Sequence, residues 1–199
     1  MPDFLGREPF ESFDFRAAYT VEFDPEFPGD GVWREPVFSF DSEGSTTRSL
    51  EGRGFVIRVA IESGQSWVGT FAGGLGGVTG VFACPSPKHL CAVVDGQAYL
   101  VQVDTPAEAA EVADMVWQVI PVGSELLLVV SPIDMVAISS AGTLWRSERL
   151  TLDDLHIVKA TPEVITCTGF SLRGEPGDLI LDASTGTLVE GPRLDDSWK

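Results

Sequence analysis

The feature that most constrains the fold of this chain is an internal repeat. The segment MVAISSAGTLWRSE, residues 135–148, aligns without a gap with LILDASTGTLVEGP, residues 179–192, at an offset of 44. Two fainter copies precede them, at 58–69 and 99–110. The equivalent points, separated by 43, 34 and 44 residues, are Ile61, Asp104, Ile138 and Asp182. Periods near ~40 residues are typical of repeated small sheets, because one small sheet cannot bury both faces until a neighbour stacks on it.

Apolar and polar residues alternate within and around these copies, which indicates strands. In GFVIRVAIESG the apolar residues Phe55, Ile57 and Val59 share one face, and Arg58 lies on the other. In LCAVVDGQAYLVQVD the pair Asp95-Gly96 separates two β-rich runs, as a type I′ hairpin turn requires. The predicted class is therefore all-β, with stacked antiparallel sheets. Two arrangements fit: a propeller-like array of about four short repeats, or a two-sheet β-sandwich.

One short helix is predicted near 106–114. Thr105 is a suitable N-cap, Pro106 suits the first helical position, and Glu108 completes a capping box before the run AAEVADMV.

The two clearest repeats carry a family resemblance. LILDASTGTLVEG and VAISSAGTLWRS resemble the blade ending of quinoprotein-type β-propellers: a strand, a turn around Thr-Gly and a returning strand. The resemblance covers residues 119–192, and the aromatic position of the family is matched at Trp145. It implies a propeller-like fold. It does not extend to the cofactor or the dehydrogenase activity, since ~40 residues per blade leaves room for about four blades, fewer than those enzymes have.

Composition along the chain predicts three regions. Residues 1–50 are rich in proline, glycine and acids, and they predict an irregular acidic segment packed on or flanking the core. Residues 51–192 form the predicted repetitive β-domain, and residues 193–199 a C-terminal tail.

The charge of the chain disfavours two classes of partner. There are 13 basic and 30 acidic residues, a formal net charge of −17, and the acids are spread over the whole length. Such a surface repels the phosphate backbone of nucleic acid and the anionic face of a membrane. The best apolar run, LLLVV at 126–130, is far shorter than the ~20 residues of a spanning helix. The N-terminal sequence lacks a secretory signal, and three cysteines suit a reducing compartment, so we expect a cytoplasmic protein.

The run GTFAGGLGGVTG, residues 69–80, poses the question of phosphate binding. Gly74 and Gly76 fit the first part of a dinucleotide motif, but Thr79 occupies the third glycine position and a strand-like run follows instead of a helix. We therefore expect these glycines to serve tight turns and close backbone approach.

A metal site is the second candidate. Cys84, His89 and Cys91 gather two thiols and an imidazole within eight residues, and Cys167 or His156 could complete a tetrahedral zinc site. The spacing matches no standard zinc module, and free cysteines are commonly buried as small apolar groups. Core thiols are the alternative, and no other cofactor is predicted.

A partner-binding surface is the third candidate. Exposed aromatic residues beside acids can anchor a partner that carries basic side chains. The residues that fit this description are Trp33 and Asp30 in the N-terminal segment, and Trp198, Asp195 and Asp196 near the C-terminus. Trp67 and Trp145 occupy related repeat positions and are expected in the core.

No catalytic residues are predicted, because none of the standard nucleophile or metalloprotease motifs is present. His156 has Asp153 and Asp154 close in sequence, but this is local proximity only. Two hypotheses remain. The first is an acidic protein-interaction module, of the kind that neutralises or sequesters a basic partner such as a cationic toxin. The second is a small-ligand-binding or metal-dependent domain.

Overall fold

The computed structural model describes residues 10–40, 55–171 and 175–194. These residues form four sheets, and 53% of the described residues are in strands. The first sheet consists of β2 (Tyr19–Phe23), β3 (Val37–Phe40), β4 (Phe55–Ile61) and β5 (Ser66–Phe71). The second consists of β1 (Phe10–Glu11), β6 (Gly80–Ala83), β7 (His89–Val94), β8 (Gln97–Gln102) and β9 (Ala110–Ala113). The third consists of β10 (Gln118–Val122), β11 (Leu126–Val130), β12 (Met135–Ser139) and β13 (Gly142–Arg146). The fourth consists of β14 (Asp153–Ala160), β15 (Val164–Phe170), β16 (Pro176–Asp182) and β17 (Leu188–Glu190). The predicted all-β class with stacked sheets is confirmed.

Strands that are consecutive in the chain pair antiparallel in the second, third and fourth sheets. Two strands depart from this pattern: β1 pairs parallel with β6, and β3 pairs parallel with β5 at the edge of the first sheet. The predicted hairpin turn is confirmed. Asp95 and Gly96 have φ values of 45° and 83°, and Val94 pairs with Gln97 across them.

The sheets stack in chain order through three hydrophobic clusters. The first cluster lies between the first and second sheets and includes Ile57, Trp67 and Tyr99. The second cluster lies between the second and third sheets. The third cluster lies between the third and fourth sheets. Within the described residues, no such cluster joins the fourth sheet back to the first. Each inner sheet is thus covered on both faces.

The repeat found in the sequence corresponds to equivalent strands. Its four reference points fall within two residues of the ends of β4, β8, β12 and β16, and in each case a pairing strand of the same sheet follows. Trp67 on β5 and Trp145 on β13 are both buried, as expected.

The helix predicted near 106–114 is wrong in extent. Only Pro106–Glu108 form a 3₁₀ turn, and Ala110–Ala113 form the strand β9. Thr105 makes no side-chain bond to a helix amide, so the expected cap does not form. Tertiary pairing overrides the local signal: β9 is the edge strand next to β8, and Val112 and Ala113 are buried in the second cluster.

The predicted irregular segment, residues 1–50, contributes strands. β2 and β3 lie at the two edges of the first sheet, beside β4 and β5 from the predicted β-domain. The first sheet is therefore assembled from both sides of the boundary at residue 50. In the described ranges, no helix is long and apolar enough to cross a membrane.

Candidate functional site

The connection between β2 and β3, residues 24–36, crosses the outer face of the first sheet; we call it the strap. Since β2 and β3 lie at opposite edges, the strap has to pass over β4 and β5. On β4, Ile57 and Val59 face the first cluster, so Arg58 between them faces the strap. Val68, the cross-strand neighbour of Arg58, is fully buried although it belongs to none of the three clusters. The strap thus covers the outer face of the first sheet.

Arg58 holds the strap to the sheet. Its Cζ lies 5.3 Å from the centre of the Trp33 ring. Its Nη1 donates to Glu22 Oε2 at 2.6 Å, and its Nε lies 3.0 Å from Glu35 Oε1. The hydrogen bond to Glu22, and then the charges of both carboxylates, raise the pKa of Arg58. One cation therefore binds an aromatic ring and two acids, which fixes Trp33 and Glu35 of the strap over β4.

The far side of the strap faces solvent and is acidic and apolar. A turn places Gly31 N 2.9 Å from the Pro28 carbonyl, and Asp30 Oδ1 accepts from Val32 N at 3.3 Å. Phe27 and Val32 are exposed, and the Phe27 ring meets the Trp33 ring edge-on at 5.5 Å. The strap carries four acids against a single arginine. The strap therefore presents exposed apolar side chains close to negatively charged carboxylates.

A surface pocket of about 470 Å³ lies beside the strap. Its charged lining consists of Asp30, Arg34, Glu35 and Arg58, and Pro28 and Gly29 complete it. Because both signs of charge line it, this pocket suits a polar or zwitterionic group better than an apolar one.

The structure brings two of the five predicted partner-binding residues to one place. Asp30 and Trp33 both belong to the strap, Asp30 exposed and Trp33 half-buried, whereas we expected Trp33 to be exposed. Trp198, Asp195 and Asp196 lie outside the described residues. Sequence reasoning missed Arg58, although its place on the outward face of a half-buried strand was visible.

The glycine-rich run forms a loop that packs on the β7–β8 hairpin. Gly74 N donates to the Val94 carbonyl at 3.0 Å, and Gly76 N donates to the Asp95 carbonyl at 2.9 Å. A Cβ on Gly74 would lie 2.6 Å from the Asp95 carbonyl oxygen. The glycines permit a close backbone contact, and these two amides are already used within the protein. This supports the structural role expected for the run over phosphate binding.

The predicted metal ligands do not come together as a metal site in the described parts of the chain, where no group of three or more His, Cys, Asp or Glu side chains is placed to hold an ion. Cys84 and Cys91 are buried in the second cluster, while Cys167 lies in the third. Burial raises the pKa of Cys91 to about 12 and that of Cys84 well above its usual value. Two of the three thiols are buried in one hydrophobic cluster and the third in another, which favours the alternative of core thiols.

His156 forms the one histidine–carboxylate pair in the described residues. Its Nε2 lies 3.0 Å from Asp154 Oδ1, and its ring stacks on Trp117 at 4.7 Å. Trp117 Nε1 donates to the Leu155 carbonyl at 3.1 Å. No hydroxyl or thiol of the described chain is hydrogen-bonded to His156, so the arrangement lacks the nucleophile that a hydrolytic triad needs. It ties β14 to the segment that enters β10.

Comparison with known proteins gives no family for this chain. A scan against protein-family models finds no match, and a search of curated proteins finds no significant relative.

Proposed function

We propose that this protein is a non-enzymatic interaction module that binds a basic protein partner, and that the strap is the centre of the binding surface. The observation that carries the proposal is the strap itself, where the exposed acids Asp24, Glu26 and Asp30 accompany the exposed apolar side chains of Phe27 and Val32 on a held backbone. Exposed aromatic and aliphatic groups supply contact area, and the surrounding acids select a cationic partner and speed its association. A protein that neutralises or sequesters a basic toxin or nuclease has these requirements.

The fixed backbone is the reason to prefer the strap over other acidic segments. Arg58 holds Trp33 and Glu35, so the strap does not have to be ordered when a partner binds. A preformed surface avoids the entropy cost of ordering a loop. Among the described residues, Asp30 accepts only from a backbone amide of its own turn, so its charge is available to a partner cation.

The experiment is capture followed by affinity measurement. The full chain, immobilised, is exposed at low and at high salt to a lysate of cells that encode it, and the retained proteins are identified by mass spectrometry. We expect a basic protein at low salt that is weakened at high salt. Failure to retain a basic protein at low salt, or affinity unchanged between the two salts, would overturn the proposal.

Matched variants then test the strap with the purified partner. Asp30→Lys should weaken binding about tenfold, since a reversed charge beside the interface slows association. Asp30→Asn keeps the Oδ1 acceptor and should weaken binding less. The control is Glu163→Lys, which makes the same charge change at an exposed acid in the loop between β14 and β15. Equal effects of Asp30→Lys and Glu163→Lys would show that net charge matters and the strap does not.

A second function is favoured by the surface pocket. Two acids and two arginines line it, Asp30, Glu35, Arg34 and Arg58, so both charges of a small zwitterion such as an amino acid would find a partner there. A thermal-shift screen of amino acids against wild type and Arg34→Met tests this: stabilisation of wild type alone supports a small-ligand role, and no shift of wild type removes it.

We also propose a propeller-like array and a cytoplasmic location. The equivalence of the four hairpins, each stacked on the next in chain order, supports the array. The three cysteines are free thiols, which suits a reducing compartment.

A further inference from the structure

Leu75 is presented to solvent on a fixed backbone. It lies in the glycine-rich loop, and its side chain is 96% exposed. The residues on both sides are hydrogen-bonded to the β7–β8 hairpin, Gly74 N to Val94 O and Gly76 N to Asp95 O. A leucine in this position buries nothing in the protein and costs little conformational freedom on binding, because its backbone is already held.

Gly73 and Gly77, on either side of Leu75, are required by close packing against neighbouring residues, whereas the Leu75 side chain packs against nothing in the described part of the chain. A Cβ on Gly77 would overlap the Val116 carbonyl oxygen, and a Cβ on Gly73 would lie 2.9 Å from Asp95 Oδ2. The loop therefore uses glycine where it contacts the hairpin and a large apolar side chain where it faces solvent.

Met115 is a second exposed apolar residue beside the same turn. It lies between β9 and β10 with a φ of 52°, and its side chain is 49% exposed. That backbone region is unfavourable for a residue with a Cβ, and glycine or asparagine is usual there. The next residue, Val116, donates to the Gly96 carbonyl at 2.9 Å and accepts from Val78 N at 2.9 Å. The segments that carry Leu75 and Met115 thus meet at the turn containing Gly96.

The charge around these two residues is negative. Asp95 and Asp114 are both exposed. The segments that build the region, 72–80, 93–97 and 113–117, contain no lysine or arginine. Arg146 reaches β9 at the Val112 carbonyl, but it is itself paired with Asp134. A second copy of this chain is a poor occupant, since each copy carries a net charge of −17.

We propose that Leu75 and Met115 form a docking anchor for a partner protein that offers an apolar pocket rimmed by lysine and arginine. The basic character of that partner rests on the proposed function, whereas the anchor does not depend on the strap. Leu75 enters the pocket, Met115 covers its edge, and Asp95 and Asp114 meet the basic rim. A strained residue and a fully exposed leucine on fixed loops are both explained if binding, rather than folding, requires them.

The test uses a random peptide library displayed on phage and selected against the full-length protein. We expect enriched peptides that place an aromatic or aliphatic residue next to two or more basic residues. Leu75→Ser should weaken these peptides at least tenfold, and Met115→Gly several-fold. Val189→Ser, at a residue 68% exposed in the fourth sheet, is the matched control and should leave affinity within twofold. Because Leu75 and Val189 are exposed, both serine variants should unfold at the wild-type temperature.

Three results would overturn the anchor: no cationic apolar peptide is enriched, the enriched peptides bind Leu75→Ser as they bind wild type, or Met115→Gly binds normally. The strap variant Asp30→Asn separates the two proposals. If Asp30→Asn weakens the peptides and Leu75→Ser does not, the peptides bind the strap, and the anchor fails while the proposed function stands. If Leu75→Ser weakens the peptides and Asp30→Asn does not, while Asp30→Lys and Glu163→Lys weaken the captured partner equally, the anchor stands and the strap fails.

Discussion

Tryptophan has two different tasks in this protein, and the contrast separates the core from the candidate surface. Trp67 and Trp145 are buried, and each indole donates to a backbone carbonyl just after a strand of the next sheet: Trp67 to Val103 after β8 (3.0 Å) and Trp145 to Ala183 after β16 (2.9 Å). Trp33 is half-buried, and its ring stacks on Arg58 at the outer face of the first sheet. The interior rings join sheet to sheet, whereas the surface ring fixes a loop that is free to meet a partner. Both kinds of contact stabilise the fold, but only the contact of Trp33 with Arg58 leaves a solvent-facing surface that a partner can bind.

The largest expected effect is the loss of an interior ring. Trp145→Ala should lower the free energy of unfolding by about 3–5 kcal/mol, because it opens a cavity between the third and fourth sheets and leaves the Ala183 carbonyl without its donor. Trp33→Ala should cost about 1 kcal/mol, as expected for a partly exposed ring with a cation–π contact. Urea unfolding measures both. Equal costs would mean that the contrast between core and surface tryptophans is wrong.

The same contrast can be measured within the glycine-rich loop. Gly77 has a φ of 135° and touches Val116, whereas Gly76, with a φ of 126°, has open space around its Cα. Gly77→Ala should therefore cost about 2–4 kcal/mol, from overlap added to backbone strain, and Gly76→Ala about 1 kcal/mol from strain alone. Thermal unfolding of the two variants gives the comparison. If Gly76→Ala is the worse of the pair, the loop does not pack on the hairpin as described.

A smaller effect is expected where the strap meets the sheet. Arg58→Met removes the cation between Trp33, Glu22 and Glu35 and should cost about 1 kcal/mol at low salt, less at high salt. Cleavage at Glu26 in the strap by a glutamate-specific protease should become faster. Arg149→Met, which removes an arginine from the third–fourth sheet connection, is the control and should leave that cleavage unchanged. A strap that stays equally protected in Arg58→Met would not be held by Arg58.

The smallest effect concerns the buried side of the second sheet. Burial lowers the pKa of His89, and its Nδ1 is buried without a partner among the described residues. The unfolded chain, with a histidine pKa near ~6.5, therefore binds a proton more readily than the folded chain. Above the histidine pKa of the unfolded chain, the stability contributed by neutral His89 is fully present. It is lost as the pH falls from that pKa toward the lower pKa of His89 in the folded chain. Compared with His89→Gln, wild type should lose stability as the pH falls below about 6.5; parallel pH profiles would show that folding does not lower the pKa of His89.

The sequence repeat predicted the strands of the fold well because it reflects pairing between strands that are neighbours in the chain. Ile61, Ile138 and Asp182 mark strand ends that sequence comparison alone located, and the hairpin at Asp95-Gly96 followed from turn chemistry. The helix near 106–114 failed because its capping signals are local, whereas β8 offers a free edge that only the folded sheet reveals.

The candidate site was less accessible to sequence reasoning. Asp30 and Trp33 stood out by composition, but their partner Arg58 is distant in sequence and is brought to them only by the crossing of the strap. Leu75 was hidden among glycines that attracted a phosphate interpretation, and the strain at Met115 is a backbone property that residue type does not indicate. Composition and periodicity do not predict which distant residues pair or which residues adopt positive backbone φ angles.

The order of the strands also bears on how the chain folds during synthesis. β1 pairs with β6, so β1 cannot join its sheet until Gly80–Ala83 has been synthesised. The first sheet is complete in strands by Phe71, yet its apolar face is covered only after β7 and β8 are made, when Trp67 reaches the Val103 carbonyl. A nascent chain thus exposes that face over about thirty residues of translation, the interval in which a chaperone has most to bind. After that point each newly synthesised sheet packs on a sheet that has already folded, so folding proceeds from the N-terminal to the C-terminal sheet.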